Sequence, residues 1–562
     1  MTAGAAPASA ARALRDGVLA LLPRAGDYRL ARRTWRTDLV AGVTVGIVAL
    51  PLALAFGVTS GAGAEAGLVT AIVAGLVAAV FGGSNVQVSG PTGAMVVILG
   101  PIVATHGVGA VAVVSIMAGV LVLAAGACFL GRTVSYIPWP VIEGFTLGIG
   151  VIIFLQQVPA ALGVGGAGHS TNAAVAAAQS VAEASWPAAV WPAATVVVVA
   201  LLMGGLHRLS PRLPGSFVAI AVVTVVAVAA HLPLAVIGAL PSSLPTPSVP
   251  DLSPQMLAAL SGPALAVAAL AAIESLLSAR VAASLSDTGP VDADRELVGQ
   301  GLASVASGFF GGMPATGAIA RTAVNVRSGG RTRVAAIVHA LVLLAVVSLA
   351  ATVVSRIPLA ALAGVLMVTA ARMVSPDIVR AMLRSTRSDA VVFVVTAVVT
   401  VSFDLIVAVG IGIAVASFFA LRALSRASGV HREELDGPAM PGDERIAVFR
   451  VDGSLFFGAA DRLVERVLSH RGIDVVVLRL SQLQLLDATG AHTLAELVTA
   501  LEQRGVTVLI KGIRPEHLPL MERLQVVTSL RHAEHLFDDL DSAVAHARSH
   551  VTAAAPGRSV SR

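Results

Sequence analysis

Long apolar stretches separated by short polar breaks dominate the first three quarters of the chain, and a helix needs about 20 apolar residues to cross a bilayer core. Measured with that ruler, seven spans fall near Leu39–Gly57, Gly67–Phe81, Thr92–Thr105, Val108–Leu130, Pro140–Val158, Ala188–Leu206 and Ser216–Ala230. Seven more follow near Pro263–Ala283, Leu297–Phe310, Thr316–Val326, Val334–Val354, Pro358–Met373, Ala390–Ser402 and Asp404–Ala423. After Arg445 the period changes. Short β-branched runs at Ile446–Val451, Val475–Leu480 and Val506–Ile510 alternate with helical stretches at Ala460–Ser469, Gly490–Gln503, Pro515–Leu524 and Leu536–His550, the pattern of a small α/β unit. The expected organisation is an arm at 1–37, a transport domain at 38–425 in two halves (38–231 and 262–425), a linker at 426–444, the α/β domain at 445–550 and a disordered tail at 551–562.

Composition agrees with two solvents for two parts. Of 562 residues, 56% are hydrophobic and 13% charged, where a soluble protein carries about a quarter charged residues. Glu65 is the only formal charge between Leu39 and Gly131. The net charge of +5 does not point to nucleic acid, because the arginines sit at the ends of apolar segments. Arg24, Arg29, Arg32, Arg33 and Arg36 precede the first span, and alternate loops hold Arg132, Arg208 with Arg212, Arg280 with Arg295, Arg327 with Arg331 and Arg333, and Arg372 to Arg387. The positive-inside rule then places both termini in the cytoplasm, with Arg356 the exception on the other side. The single cysteine, Cys128, excludes a disulfide framework, and His106, His207 and His231 lack paired spacing, so neither metal nor cofactor is expected. The absence of a G-x-x-x-x-G-K-[ST] loop leaves no support for an ATP-driven pump.

The halves repeat one another. Phe81-Gly82-Gly83 after span two corresponds to Phe310-Gly311-Gly312 after span nine. Pro91-Thr92-Gly93-Ala94-Met95 opening span three corresponds to Pro314-Ala315-Thr316-Gly317-Ala318-Ile319 opening span ten. Seven spans per half is an odd number, so the halves have opposite topology, the inverted repeat of secondary transporters. Spans three and ten are short and begin with Pro and Gly. As half-helices they point backbone N–H groups and two positive dipole ends at one point near the midplane, which suits an anion. Thr92, Gly93, Ala94, Thr316, Gly317 and Ala318 are the candidate substrate residues, with Arg321 one turn on. Charges at membrane depth are functional by default. Glu274 in span eight is the candidate coupling group, taking a proton or helping to hold Na⁺ with Ser278. The competing reading is an ion pair of Glu274 with Arg321 or Arg280. Gln156 and Gln157 at the end of span five are expected to face water.

These motifs, with Val48–Phe56, Pro140–Thr146, Ile273–Ser278 and Asp487-Ala488-Thr489-Gly490, resemble the SulP (sulfate permease) family of bacterial anion transporters carrying a C-terminal STAS domain. The resemblance covers Asp38 to His550. It implies an inner-membrane homodimer in which a core of spans one to four and eight to eleven moves against a gate of spans five to seven and twelve to fourteen, carrying sulfate, bicarbonate, chloride or dicarboxylates. It places Glu274, Ser278, Gly317 and Ala318 at the sodium site of Na⁺-coupled members. There Ile319 replaces a threonine ligand, which tilts the expectation to H⁺. In the STAS domain Ala488 stands where related domains carry a phosphorylated serine, so that switch is absent. A cytoplasmic regulator is the partner such a domain implies. A Na⁺-coupled bicarbonate symporter and an anion exchanger or channel remain as alternatives, and behind them a nucleobase permease and a STAS-based regulatory scaffold.

Overall fold

In the computed structural model, residues 21–28, 30–132, 137–164, 172–209, 214–403, 405–427, 429–435, 438–455, 458–470 and 472–553 are described. The chain divides into two compact units, 1–414 and 415–562. Each of the fourteen predicted spans falls on a helix, here α1 Ala31–Thr59, α2 Ala64–Phe81, α3 Gly93–His106, α4 Gly109–Ala127, α5 Trp139–Gln156, α6 Trp186–Leu209 and α7 Gly215–Ala229. The second set is α8 Pro254–Leu285, α9 Ala293–Phe309, α10 Ile319–Arg327, α11 Arg333–Val354, α12 Leu359–Met373, α13 Arg387–Ser402 and α14 Leu405–Ala427. Among the described residues nine helices are long and apolar enough to cross a membrane, counting α2 as one and extending α12 to Arg384. The other five, α3, α7, α9, α10 and α13, are shorter, and of these α3 and α10 are the half-helices that the Pro-Gly openings predict.

Packing carries the inverted repeat into three dimensions. Numbering α8 as the counterpart of α1, the pair α1–α11 is answered by α8–α4, α2–α11 by α9–α4, α1–α10 by α8–α3, and α5–α13 by α12–α6. The tightest of these is α4 on α9. A Cβ added to Gly119 would stand 2.8 Å from the Gly301 carbonyl, and one added to Gly301 would stand 2.5 Å from Leu123 N. Lipid offers no hydrophobic drive for helix pairing, so close backbone approach supplies the dispersion energy instead. The swap fails in one respect. Helix α1 packs on α7 and α12, and α3 packs on α5, whereas the reciprocal contacts of α8 with α14 and α5, and of α10 with α12, are weak or missing among the described residues. The two helix groups therefore meet along α1 and α3 and part along α8 and α10, leaving Ile319 38% exposed and Ala320 exposed.

Some boundaries differ from expectation. Helix α1 begins at Ala31, inside the arm, and Asp38 in its second turn is fully buried. Its Oδ1 accepts from Arg331 N at 2.7 Å and Thr332 N at 3.1 Å, holding the start of α11. Gln157 does not face water: it is 2% exposed and accepts from Thr59 Oγ1 at 3.3 Å, while Gln156 Oε1 is buried. The helix Ala173–Glu183, capped by Asn172, was not anticipated. The first 20 residues, Asp404 and the segment 554–562 lie outside the described residues.

The second unit is a six-stranded sheet of β3 Gly429–Glu433, β4 Ile446–Leu455, β5 Val475–Arg479, β6 Leu483–Leu486, β7 Thr507–Lys511 and β8 Leu536–Phe537. The order is β3-β4-β5-β7-β8 with β6 also on β4, and all pairs but β3–β4 are parallel. Parallel strands are covered on both faces. Ala447, Phe449 and Val451 of β4 face the cluster containing Leu463 of α15 (Gly458–Leu468) and Leu494 of α16 (Ala488–Gln503). Ile446 and Val448 face Ala543, Ala547 and Val551 of α18 (Leu540–Ala553). The short helix α17, Leu518–Arg523, lies between β7 and β8. Asp487 caps α16, accepting from Gly490 N at 2.7 Å, as its position before the helix suggests.

The expected linker is corrected: β3 pairs with β4 through five residues, so 429–433 is the edge strand of the sheet. The strand β6 was also missed, because four residues reading Leu-Gln-Leu-Leu carry no turn signal. Truncation before Gly429 is expected to leave a monodisperse membrane unit, while truncation at Arg445 leaves β3 without its partner and lowers the yield of monodisperse protein. Size-exclusion chromatography of the two forms checks this.

Candidate functional site

The polar lead-ins of the two half-helices cross. Ser89-Gly90 (β1) pairs antiparallel with Thr316-Gly317 (β2), Ser89 opposite Gly317 and Gly90 opposite Thr316. Ala318 N donates to Val88 O at 2.9 Å and extends the pair. Helix α3 leaves at Gly93 and α10 at Ile319, so their unpaired first-turn N–H groups converge from two sides of one short sheet. A π-helical turn at Thr70–Ala74 of α2 packs beside β1, which fits the frequent placement of such turns at functional sites.

Glu274 reaches this crossing from the middle of α8. Its Oε2 accepts from Thr92 Oγ1 and from Thr316 Oγ1, each at 2.8 Å, and the two threonine oxygens stand 3.0 Å apart. Thr92 is 8% exposed and Thr316 fully buried, while Glu274 is half-buried. Three oxygens thus make three contacts. Two hydroxyl protons can serve only two of them, so with both donated to Glu274 the contact between the threonine oxygens carries none.

Of the remaining predicted residues, Gly93 and Ala94 open α3 and are buried. Across from Gly93 lies α5: an added Cβ there would collide with Ile153 of α5 and stand 3.5 Å from Phe56 of α1. Gly317 donates its N–H to Ser275 Oγ at 3.1 Å. A Cβ added to Gly317 would stand 3.1 Å from that of Ser278, but the Ser278 hydroxyl stands 3.5 Å from Thr322 Oγ1, and no described hydrogen bond joins it to the Glu274 carboxylate. Arg321 does not face the gap. It is 2% exposed, with Nη2 donating to Pro91 O at 2.5 Å, Nη1 packed on Gly90 and without a hydrogen-bond partner. Among the described ion pairs none links Glu274 to Arg321, so the carboxylate is held by hydroxyls instead. Gly90, at φ +153°, lies in backbone that favours glycine, and its missing side chain is what lets the guanidinium lie against the strand.

Several supporting residues escaped the sequence reading. Gln300 donates to Ser89 Oγ at 2.5 Å and to Glu296 Oε1 at 2.9 Å, and Glu296 Oε2 accepts from Gly83 N and Ser84 N at 2.8 and 3.1 Å. Arg333 Nη1 donates to Gly82 O at 2.5 Å, and Asn325 Nδ2 to Val86 O at 2.7 Å. These side chains satisfy the backbone of 82–89, which is neither helix nor lipid-facing, as irregular backbone at this depth requires. The available signal was a run of buried-helix polar residues, Glu296, Gln300 and Ser304, at four-residue spacing in α9.

The model of the sulfate permease family matches residues 35–396, and that of the STAS domain matches 437–543. The chain is 34% identical to the putative sulfate transporter YvdB of Bacillus subtilis over 90% of this chain and 97% of the relative. It is 30% identical to the bicarbonate transporter BicA of Picosynechococcus over 88% and 91%. Among solved structures, the murine anion transporter Slc26a9 superposes with a TM-score of 0.79 at 18% identity, covering 95% of this chain and 94% of that one, a likeness of fold.

Proposed function

The chain belongs to the sulfate permease family of membrane transporters, and on that premise we propose that it is a proton-coupled secondary transporter of a small oxyanion or carboxylate. The observation that carries the reading is the crossed pair of half-helix openings with Glu274 hydrogen-bonded to both. The convergent N–H groups of α3 and α10 bind the anion between two dipole ends. A carboxylate beside an anion opposes it: like charges about 5 Å apart at an effective dielectric near 20 repel by ~3 kcal/mol. Protonation removes that cost, so proton and anion bind with positive coupling, which is the condition for symport. Both threonine hydroxyls can accept as well as donate, so a protonated Glu274 keeps a partner within 2.8 Å.

Alternating access is elevator-type, α1–α4 with α8–α11 moving against α5–α7 with α12–α14. With the termini in the cytoplasm of a bacterial plasma membrane, as the arginine distribution supports, the parted side along α8 and α10 opens inward and the Phe56–Ile153 side is closed. The protein works as a homodimer with its STAS domain facing cytoplasmic partners. The test is uptake of radiolabelled bicarbonate, sulfate and fumarate into proteoliposomes under an inward H⁺ or an inward Na⁺ gradient. Acceleration of one anion by H⁺ alone is the expected result. Acceleration by Na⁺ alone overturns the coupling assignment and makes Ile319 tolerable beside a sodium site. Uptake that neither gradient accelerates removes symport.

A further inference from the structure

We propose that the α/β domain carries a zinc site built from His535, His546 and His550. One ligating nitrogen from each imidazole can be chosen so that all three lie within 4.8 Å of one another. His546 and His550 are one turn apart on α18, and their Nε2 atoms stand 3.2 Å apart. Two nitrogens about 2.0–2.1 Å from a tetrahedral zinc are themselves ~3.3 Å apart, so this pair already has ligand spacing.

The third imidazole carries the strongest sign of a missing partner. His535 is 1% exposed, yet its Nδ1 has no hydrogen-bond partner. A buried polar atom left unpaired costs about 1–3 kcal/mol, and a metal ion answers that need. The ring also meets the Val508 backbone in β7, the kind of outer contact that fixes a ligating imidazole. His532, exposed, has its ring 5.2 Å from that of His535.

The backbone holds these groups in place without metal. Ala543, Ala547 and Val551 seat α18 on the sheet, and Arg548 Nε and Nη2 each donate to Asp443 at 2.9 Å. The nearby cation Arg531 is balanced by Glu502 at 3.0 Å. In sequence the four read His-x₂-His-x₁₀-His-x₃-His from 532 to 550, close to the paired spacing of structural zinc sites. The expectation of no metal weighed only the histidines at span ends.

The test uses the full chain, purified in detergent without a histidine tag, stripped with chelator and dialysed against buffered Zn²⁺. One equivalent of zinc per chain is expected by mass spectrometry of the metal, and Co²⁺ in its place should give the visible absorption of tetrahedral coordination. The double variant His546→Gln/His550→Gln should lose that equivalent while keeping its gel-filtration profile. His550→Gln alone, which changes one partly exposed side chain, should lose it too and guards against misfolding of the double variant. No zinc retained by the wild type, an octahedral cobalt spectrum, or equal zinc in the folded variants overturns the site.

Discussion

Glu274→Gln is expected to abolish proton-driven accumulation of the anion in proteoliposomes while leaving anion binding within a few-fold of wild type. The amide keeps the length of the side chain and an oxygen to accept from Thr92 or Thr316, which stand 2.8 Å from the native carboxylate. It carries no charge and exchanges no proton. The ~3 kcal/mol opposition between a carboxylate and the anion therefore disappears at every pH, and with it about 100-fold of pH-dependent coupling. Binding in the variant should be flat from pH 5 to 8, where the wild type binds more tightly as pH falls. The two measurements separate the roles. Loss of both binding and uptake would make Glu274 a structural brace for the crossed strands. Accumulation that survives would end the assignment.

Much of this site could be read from the chain, because its signals are local. Pro-Gly interruptions at Pro91–Gly93 and Pro314–Gly317 mark half-helices whatever surrounds them. A carboxylate such as Glu274 inside an apolar run marks a function because the bilayer makes it expensive. What the sequence does not carry is direction. Arg321 and Glu274 lie in neighbouring elements, and helical spacing alone allows both to face one cavity. The structure turns Arg321 toward Pro91 because the crossing of β1 over β2 puts a carbonyl within its reach and Gly90 leaves room for the guanidinium. The same limit hid Gln300 and Asn325, whose partners lie more than 200 residues away. Gln157 reads as a polar helix end, yet contact with Thr59 buries it. The edge strand β3 was lost for a different reason: Gly-Val-His-Arg-Glu is too polar and short to announce a strand, and only pairing with β4 makes it one.

Replacing Arg321 by Met is expected to weaken anion binding in proportion to the charge of the anion. A buried cation does not have to touch a substrate to favour it. Over about 8 Å at an effective dielectric near 20, one unit charge contributes ~2 kcal/mol toward a monovalent anion and twice that toward a divalent one. The corresponding losses are about 30-fold for bicarbonate and about 1000-fold for sulfate or fumarate. Methionine fills most of the volume and removes the charge, so a void beneath Gly90 contributes little to the result. It also leaves Pro91 O without its 2.5 Å donor, a neutral loss that falls equally on every anion. Arg321→Lys separates these effects, restoring charge without the planar guanidinium that lies against the strand. Calorimetric titration of each variant with both classes of anion checks the ratio. Equal losses for monovalent and divalent anions would reduce Arg321 to a strut for the half-helix opening, and the two helix dipoles would then hold the anion unaided.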